Sequence, residues 1–117
     1  MASIHRPADH ESVRFIKARM ERWVADEPQP GLVEVSLVDA YGKKWIFVDK
    51  TASFSRDVLT AASSYPRETR IGCEELRCEV EPSGREIVTV TTARLWSIET
   101  IDAVSEFAVE RSQIVDD

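Results

Sequence analysis

The clearest signal in the chain is alternation. From Leu32 to Asp39, Val33, Val35 and Leu37 fall on one side and Glu34 and Ser36 on the other, the period of a half-buried strand. Lys44 to Asp49 puts Trp45 and Phe47 on one side and Ile46 and Val48 on the other. Both sides are apolar, so this strand is expected to be central or covered on both faces. Between the two strands, Asp39-Ala40-Tyr41-Gly42-Lys43 supplies a Gly where the chain must take a positive φ, which fits a short hairpin with a Gly bulge. The same grammar recurs as Leu76 to Glu81, then Pro82-Ser83-Gly84-Arg85, then the β-branched run Glu86 to Thr92.

Other segments are read from parity and context. Residues 12–25 fit two periods. Val13, Ile16, Met20, Trp23 and Val24 share a helix face, while Ile16, Ala18, Met20 and Val24 share a strand face interrupted by Arg22. Propensity favours helix. However, the turn cluster Asp26-Glu27-Pro28-Gln29-Pro30-Gly31 has hairpin length and leads straight into a strand, so a strand is assigned. Thr69 to Glu81 changes parity: Ile71 and Cys73 are odd, Leu76, Cys78 and Val80 even. A one-residue shift at Glu74-Glu75 marks a bulge or bend where the strand turns a corner between sheets.

Val58 to Ala62 is expected to supply a short helical turn within 57–63, capping an open end of the sheet, and Tyr65 before Pro66 an extended residue. Residues 94–104 read as irregular, and Glu106 to Val115 as the last strand. Several short strands with turns at this spacing predict an all-β fold, a small, mainly antiparallel barrel or two-sheet sandwich of about six strands. Residues 1–11 read as a disordered tail and 12–117 as a single β domain.

At 117 residues and 43% hydrophobic content, the chain can bury a core without disulfides or metal. The apolar run Trp45-Ile46-Phe47-Val48 is far shorter than the roughly 20 residues of a membrane helix, and Met1 to Glu11 carries no apolar stretch of the signal-peptide kind. A cytoplasmic protein without membrane contact is expected. The net charge of −6 disfavours nucleic acid and favours basic partners. Cys73 and Cys78, on one extended strand, would be about 17 Å apart. A disulfide needs about 7 Å, so both read as small buried hydrophobes in a reducing compartment.

Catalytic chemistry is thin. The only His residues, His5 and His10, lie in the tail, where they cannot serve a held triad, and no C-x-x-C pair suggests zinc. No Gly-rich loop offers a phosphate cradle. No catalytic residue, metal or cofactor is therefore assigned. Asp26 with Glu27 and Glu74 with Glu75 are adjacent carboxylates, which on a strand point to opposite faces. Asp49 is expected to cap the turn that follows it. Arg14, Lys17, Arg19 and Arg22, with Phe15 and Trp23, form a basic stretch that could hold a single-stranded nucleic acid on a barrel face. Arg94, Trp96 and Glu99 are the leading candidate contact site, since an Arg and a Trp two apart on an extended segment share a face and both dominate binding hot spots. The competing reading is that Trp96 plugs a barrel end, with Arg94 and Glu99 paired at the rim.

Trp23-Val24, Asp26 to Gly31, Phe47-Val48-Asp49-Lys50, Tyr65-Pro66, Cys73-Glu74 and Ala93 to Glu99 form a series of landmarks. In them the chain resembles a group of small uncharacterised bacterial proteins that carry the same landmarks in the same order, over roughly residues 19–115. It departs from that group at Leu95 and Ser97, where a Pro and a Gly would stand. The resemblance implies a compact β fold and no particular activity.

Size, acidity and the lack of catalytic groups point to a non-enzymatic, accessory or immunity-type protein that recognises a protein partner. Two alternatives come from other classes: single-stranded nucleic-acid binding on the first strand, and a small carboxylate-based enzyme or ligand binder using a barrel mouth. A homodimer through an unpaired edge strand is also expected to be open to this fold.

Overall fold

The alternating segments become strands in the expected order. The computed structural model describes residues 14–116, the side chains of Leu95 and Trp96 excepted. The expected tail at 1–11 lies outside the described residues. The elements are β1 (Arg14–Ala25), β2 (Leu32–Val38), β3 (Lys44–Lys50), β4 (Arg67–Val80), β5 (Glu86–Thr91), a single helical turn α1 (Ala93–Trp96), β6 (Glu106–Glu110) and β7 (Ile114–Val115). Short 3-10 turns occupy Thr51–Ser53 and Arg111–Gln113. Every strand pairing is antiparallel. The order across the sheet is β3-β2-β1-β4-β5-β6, with β7 beside the start of β1. The sheet curls into a half-barrel.

β4 makes the curl. Arg67 to Cys73 pair with β1, whereas Glu74 to Val80 pair with β5, and the register slips between Glu75 and Arg77. This is the corner expected from the parity change: an extra residue bends the strand and swaps which face is apolar. The two outer strands, β3 and β6, are joined by loops instead of a ladder. Ala40 N–H donates to Ala108 O at 2.8 Å, and Ile101 N–H to Ile46 O at 2.9 Å.

Inside the curl lie Ile16, Met20, Val35, Leu37, Phe47, Ile71, Val88, Val90 and Val109, all essentially inaccessible. Phe107 meets Trp45 edge-on at 5.4 Å and Phe47 at 5.7 Å, which ties β6 to β3 across the opening. Phe54, carried by the segment after β3, packs against Phe47 at 6.5 Å and covers the core from that side.

The two hairpin turns share one backbone design. Asp39 N–H donates to Lys43 O at 2.8 Å and Gly42 N–H to Asp39 O at 3.1 Å; in the second turn the equivalent bonds run from Glu81 to Arg85 at 2.9 Å and from Gly84 to Glu81 at 2.8 Å. Gly42 and Gly84 take φ of 85° and 91°, where a side chain would be strained. The turns also meet in space. The Arg85 guanidinium donates to Ala40 O, stands over the Tyr41 ring, and its Nε lies 2.8 Å from Glu110 in ion contact without hydrogen-bond alignment.

Several expectations need correction. Residues 57–63 hold no helical turn. A single turn closes there instead, Ser63 N–H donating to Thr60 O at 3.0 Å, and it is braced by side-chain hydroxyls: Thr60 N–H donates to Ser63 Oγ and Ala62 N–H to Thr60 Oγ1. Strand β3 is not central: it ends the sheet, and Val48 remains 37% exposed. The strand expected at Glu106 to Val115 is broken by the 3-10 turn at Arg111–Gln113, whose Glu110 and Gln113 form a reciprocal cap. Among the described residues Asp49 accepts the neighbouring Lys50 N–H, at 2.7 Å, and does not cap the turn after it.

Candidate functional site

The outer face of β1, β2 and β3 has an apolar centre and a charged surround. Trp45 and Phe47 turn inward from β3, so Lys44, Ile46, Val48 and Lys50 turn outward by the strand period. Across on β2, Ile46 faces Ser36, Val48 faces Glu34 and Lys44 faces Val38. Val38 is half exposed, and Ile101, whose N–H binds Ile46 O at the edge of β3, is 64% exposed.

Ion pairs frame these apolar groups. Arg22 Nη2 lies 3.0 Å from Glu34, and Ser36 Oγ donates to Glu21 at 2.6 Å, while Arg19 and Lys44 approach the same Glu21 carboxylate at 3.4 and 3.8 Å. A hollow of about 390 Å³ adjoins them, lined by Lys17, Arg19, Glu21, Ser36, Lys44 and Gln113 among others. An apolar centre with a polar rim is the anatomy of a protein-binding surface.

The residues singled out from sequence are divided by the fold. Residues 93–96 form a helical turn, not the extended segment on which positions two apart share a face, so the argument joining Arg94 to Trp96 fails. The side chain of Trp96 lies outside the described residues. Arg94 pairs with Glu74 at 3.2 Å, not with Glu99. Glu99 is exposed in the loop two residues before Ile101. Sequence reasoning missed Ile46, Val48 and Ile101 as a surface. The signal for Ile46 and Val48 is the second apolar side of β3, which the fold leaves uncovered at Val48.

The landmarks of the resemblance largely hold the fold. Trp23 Nε1–H donates to Asp26 at 2.9 Å, and its indole lies so close to Gly31 that a Cβ there would come within 2.2 Å of the ring. The Tyr65 hydroxyl donates to Thr60 O at 2.8 Å, Phe47 is buried in the core, and Glu74 is held by Arg94.

The basic stretch of β1 is largely neutralised. Arg14 reaches Asp116 at 2.6 Å and Glu75 at 3.3 Å, and Arg19 and Arg22 have the partners given above. Lys17 is exposed and has no ion-pair partner among the described residues.

The groups whose proton affinity the fold clearly moves have structural reasons. Burial raises the Asp39 carboxyl, but hydrogen bonds from Trp45, Lys43 and Tyr41 outweigh it and hold the group below its ordinary value. Burial, helped by the negative Glu75, pushes the Cys73 thiol up to about 12. Burial works against the Arg111 charge, yet Glu75 at 2.6 Å and then Cys78 raise its affinity. Cys78 is exposed, contrary to the buried position expected. In the native protein a thiol reagent should therefore modify Cys78 quickly and Cys73 only after unfolding; equal rates at both would contradict this structure.

Among the described residues, no three of His, Cys, Asp and Glu are grouped to hold a metal ion, and no helix is long and apolar enough to cross a membrane. No family model matches the chain, and neither curated proteins nor solved structures yield a match to it.

Proposed function

We propose that this chain is a non-enzymatic binding module whose β1–β3 outer face takes a protein partner. One observation carries the reading: β3 is apolar on both faces, the fold buries Phe47 and packs a half-buried Trp45 against the core, and Val48 and the adjoining Ile101 stay exposed beside a half-buried Ile46. Folding does not require those three to be apolar, whereas a partner covering them would gain about 25 cal/mol for each Å² of apolar area removed from water. The ion pairs around the patch supply a rim that fixes orientation more than affinity. A cytoplasmic accessory or immunity-type role fits the small size and the net charge of −6.

The test is capture from a lysate of the source organism by the tagged chain, with and without nuclease. Val48→Lys, which faces Glu34, and Ile101→Glu are the test variants, and Val58→Glu, at a position 95% exposed on the segment after β3, is the control. A protein held by the wild type and the control, lost by both test variants and indifferent to nuclease, is the expected result. Retention by all three variants would remove this face from the account. Recovery only without nuclease would move the function to nucleic acid.

A further inference from the structure

The outer side of β3 is a row with a cation at each end. Lys44, Ile46, Val48 and Lys50 stand at alternate positions, so two lysines bracket an aliphatic pair on one face. Six residues separate the lysines, about 20 Å along an extended strand. Both are exposed, and Lys50 has no ion-pair partner among the described residues. Lys44 reaches Glu21 only at 3.8 Å and shares that one carboxylate with Arg19, so the pair leaves a positive charge unmatched. Lys17, also exposed and without an ion-pair partner among the described residues, lines the same hollow of about 390 Å³ as Lys44, with Val38 and Gln113 on its wall. The chain as a whole carries −6, yet this face is positive at both ends of its apolar centre.

We infer that the partner presents an extended acidic segment to this row, with two carboxylates six positions apart and two aliphatic side chains at alternate positions between them. The inference rests on the reading of the β1–β3 face as a protein-binding surface and names what that surface selects. One carboxylate enters the hollow between Lys17 and Lys44, the other meets Lys50, and the aliphatic pair covers Ile46 and Val48. An extended segment has the same rise per residue as β3, so its alternate side chains match the row along its length. The pattern reads the same from either end, so both chain directions satisfy it. Complementary charge at both ends selects this partner, and like charge there rejects a basic one. A nucleic acid would meet the same lysines. Single strands, however, are held by bases stacked on aromatic side chains, and the centre of this row is aliphatic.

The test selects peptides from a random display library on the full chain, then measures the enriched peptide by fluorescence anisotropy. The expected consensus carries Asp or Glu at two positions six apart, with Ile, Leu or Val between them. Replacing either acidic residue of the peptide by Gln should raise Kd about fivefold, the upper worth of one exposed ion pair. The double variant K44E/K50E should bind the acidic peptide about tenfold more weakly or worse, and should take up the peptide in which both acidic residues are replaced by Lys. Val48→Ser, which removes an apolar group without adding charge, should weaken binding, and Val58→Glu should not. Thermal melts followed by circular dichroism check that each variant folds, and the Gln peptides test the charges on the unaltered protein. No enrichment, a basic or uncharged consensus, or an acidic peptide held equally by K44E/K50E would each overturn the inference. An uncharged consensus lost in Val48→Ser would refute the charge pattern and keep the face; one indifferent to Val48→Ser would remove the face as well. A labelled oligothymidylate that outcompetes every enriched peptide and is lost in K44E/K50E would overturn it in favour of nucleic acid.

Discussion

The two faces of β3 carry similar chemistry and meet different fates. Trp45 and Phe47 point inward and join Phe107 and Phe54 in an aromatic cluster. Ile46 and Val48 point outward, and Val48 keeps 37% of its surface in water. Both ends of the strand are tied for the benefit of the inner face. At the start, Asp39 accepts the Trp45 indole N–H at 3.0 Å; at the end, Thr51 N–H donates to Gly31 O at 3.0 Å. The difference teaches that apolar residues on this strand serve two purposes, and that only the inner set is explained by folding. Substitutions should separate the two.

The largest effect is expected at the inner face. Phe47→Ala leaves a cavity beside Phe54 and Phe107 and should cost about 4 kcal/mol, read by urea unfolding. Gly31→Ala comes next. It adds a Cβ against the Trp23 ring at a φ of 124°, and backbone strain with overpacking should cost about 3 kcal/mol. If Gly31→Ala melts like the wild type, the Trp23 contact is looser than described.

Asp39 is the third probe. Its carboxylate accepts the N–H groups of Tyr41 and Lys43, each at 2.9 Å, as well as the Trp45 indole. Asp39→Ala should cost about 2 kcal/mol, by the usual worth of hydrogen bonds to a charged group. The twin turn offers a control. Glu81 holds the same backbone position, but its carboxylate only approaches Arg85 at 3.8 Å, so Glu81→Ala should cost about 0.5 kcal/mol.

The pH dependence follows from the lowered Asp39 pKa. The folded state holds this carboxyl below its ordinary 3.8, so its contribution is full above that value and is lost as pH falls through the folded pKa. Asp39→Asn should be less stable at neutral pH and should remove that part of the acid slope. An unchanged slope would place the acid sensitivity elsewhere.

Much of the fold was legible because alternation and turn chemistry are local. Gly42 and Gly84 marked both hairpins, and the parity change between Cys73 and Leu76 marked the corner in β4. The strand at β1 was legible from what followed it, not from its own residues, which favour helix. What covers a face was not legible. Trp45-Ile46-Phe47-Val48 states that two sides are apolar, but only the sheet order places β3 at an edge. Cys78 failed for a related reason: beyond the bulge, β4 runs out past the core, and every residue from Arg77 to Val80 is exposed. The candidate site rested on an extended Arg94-to-Trp96 segment, and the chain makes a helical turn there. Of that site, Glu99 lies exposed in the loop two residues before Ile101.

The smallest expected change in stability is also the most informative measurement. Val48→Lys, which faces Glu34, and Ile101→Glu should alter stability by no more than about 0.5 kcal/mol, as surface substitutions do, while abolishing partner capture. Paired melting curves and captures on these two variants test the division of β3 directly. Unchanged melting with lost capture is the predicted result. A loss of stability comparable to that of Phe47→Ala, or capture equal to the wild type, would show that the outer face belongs to the fold or to nothing, and would contradict the account.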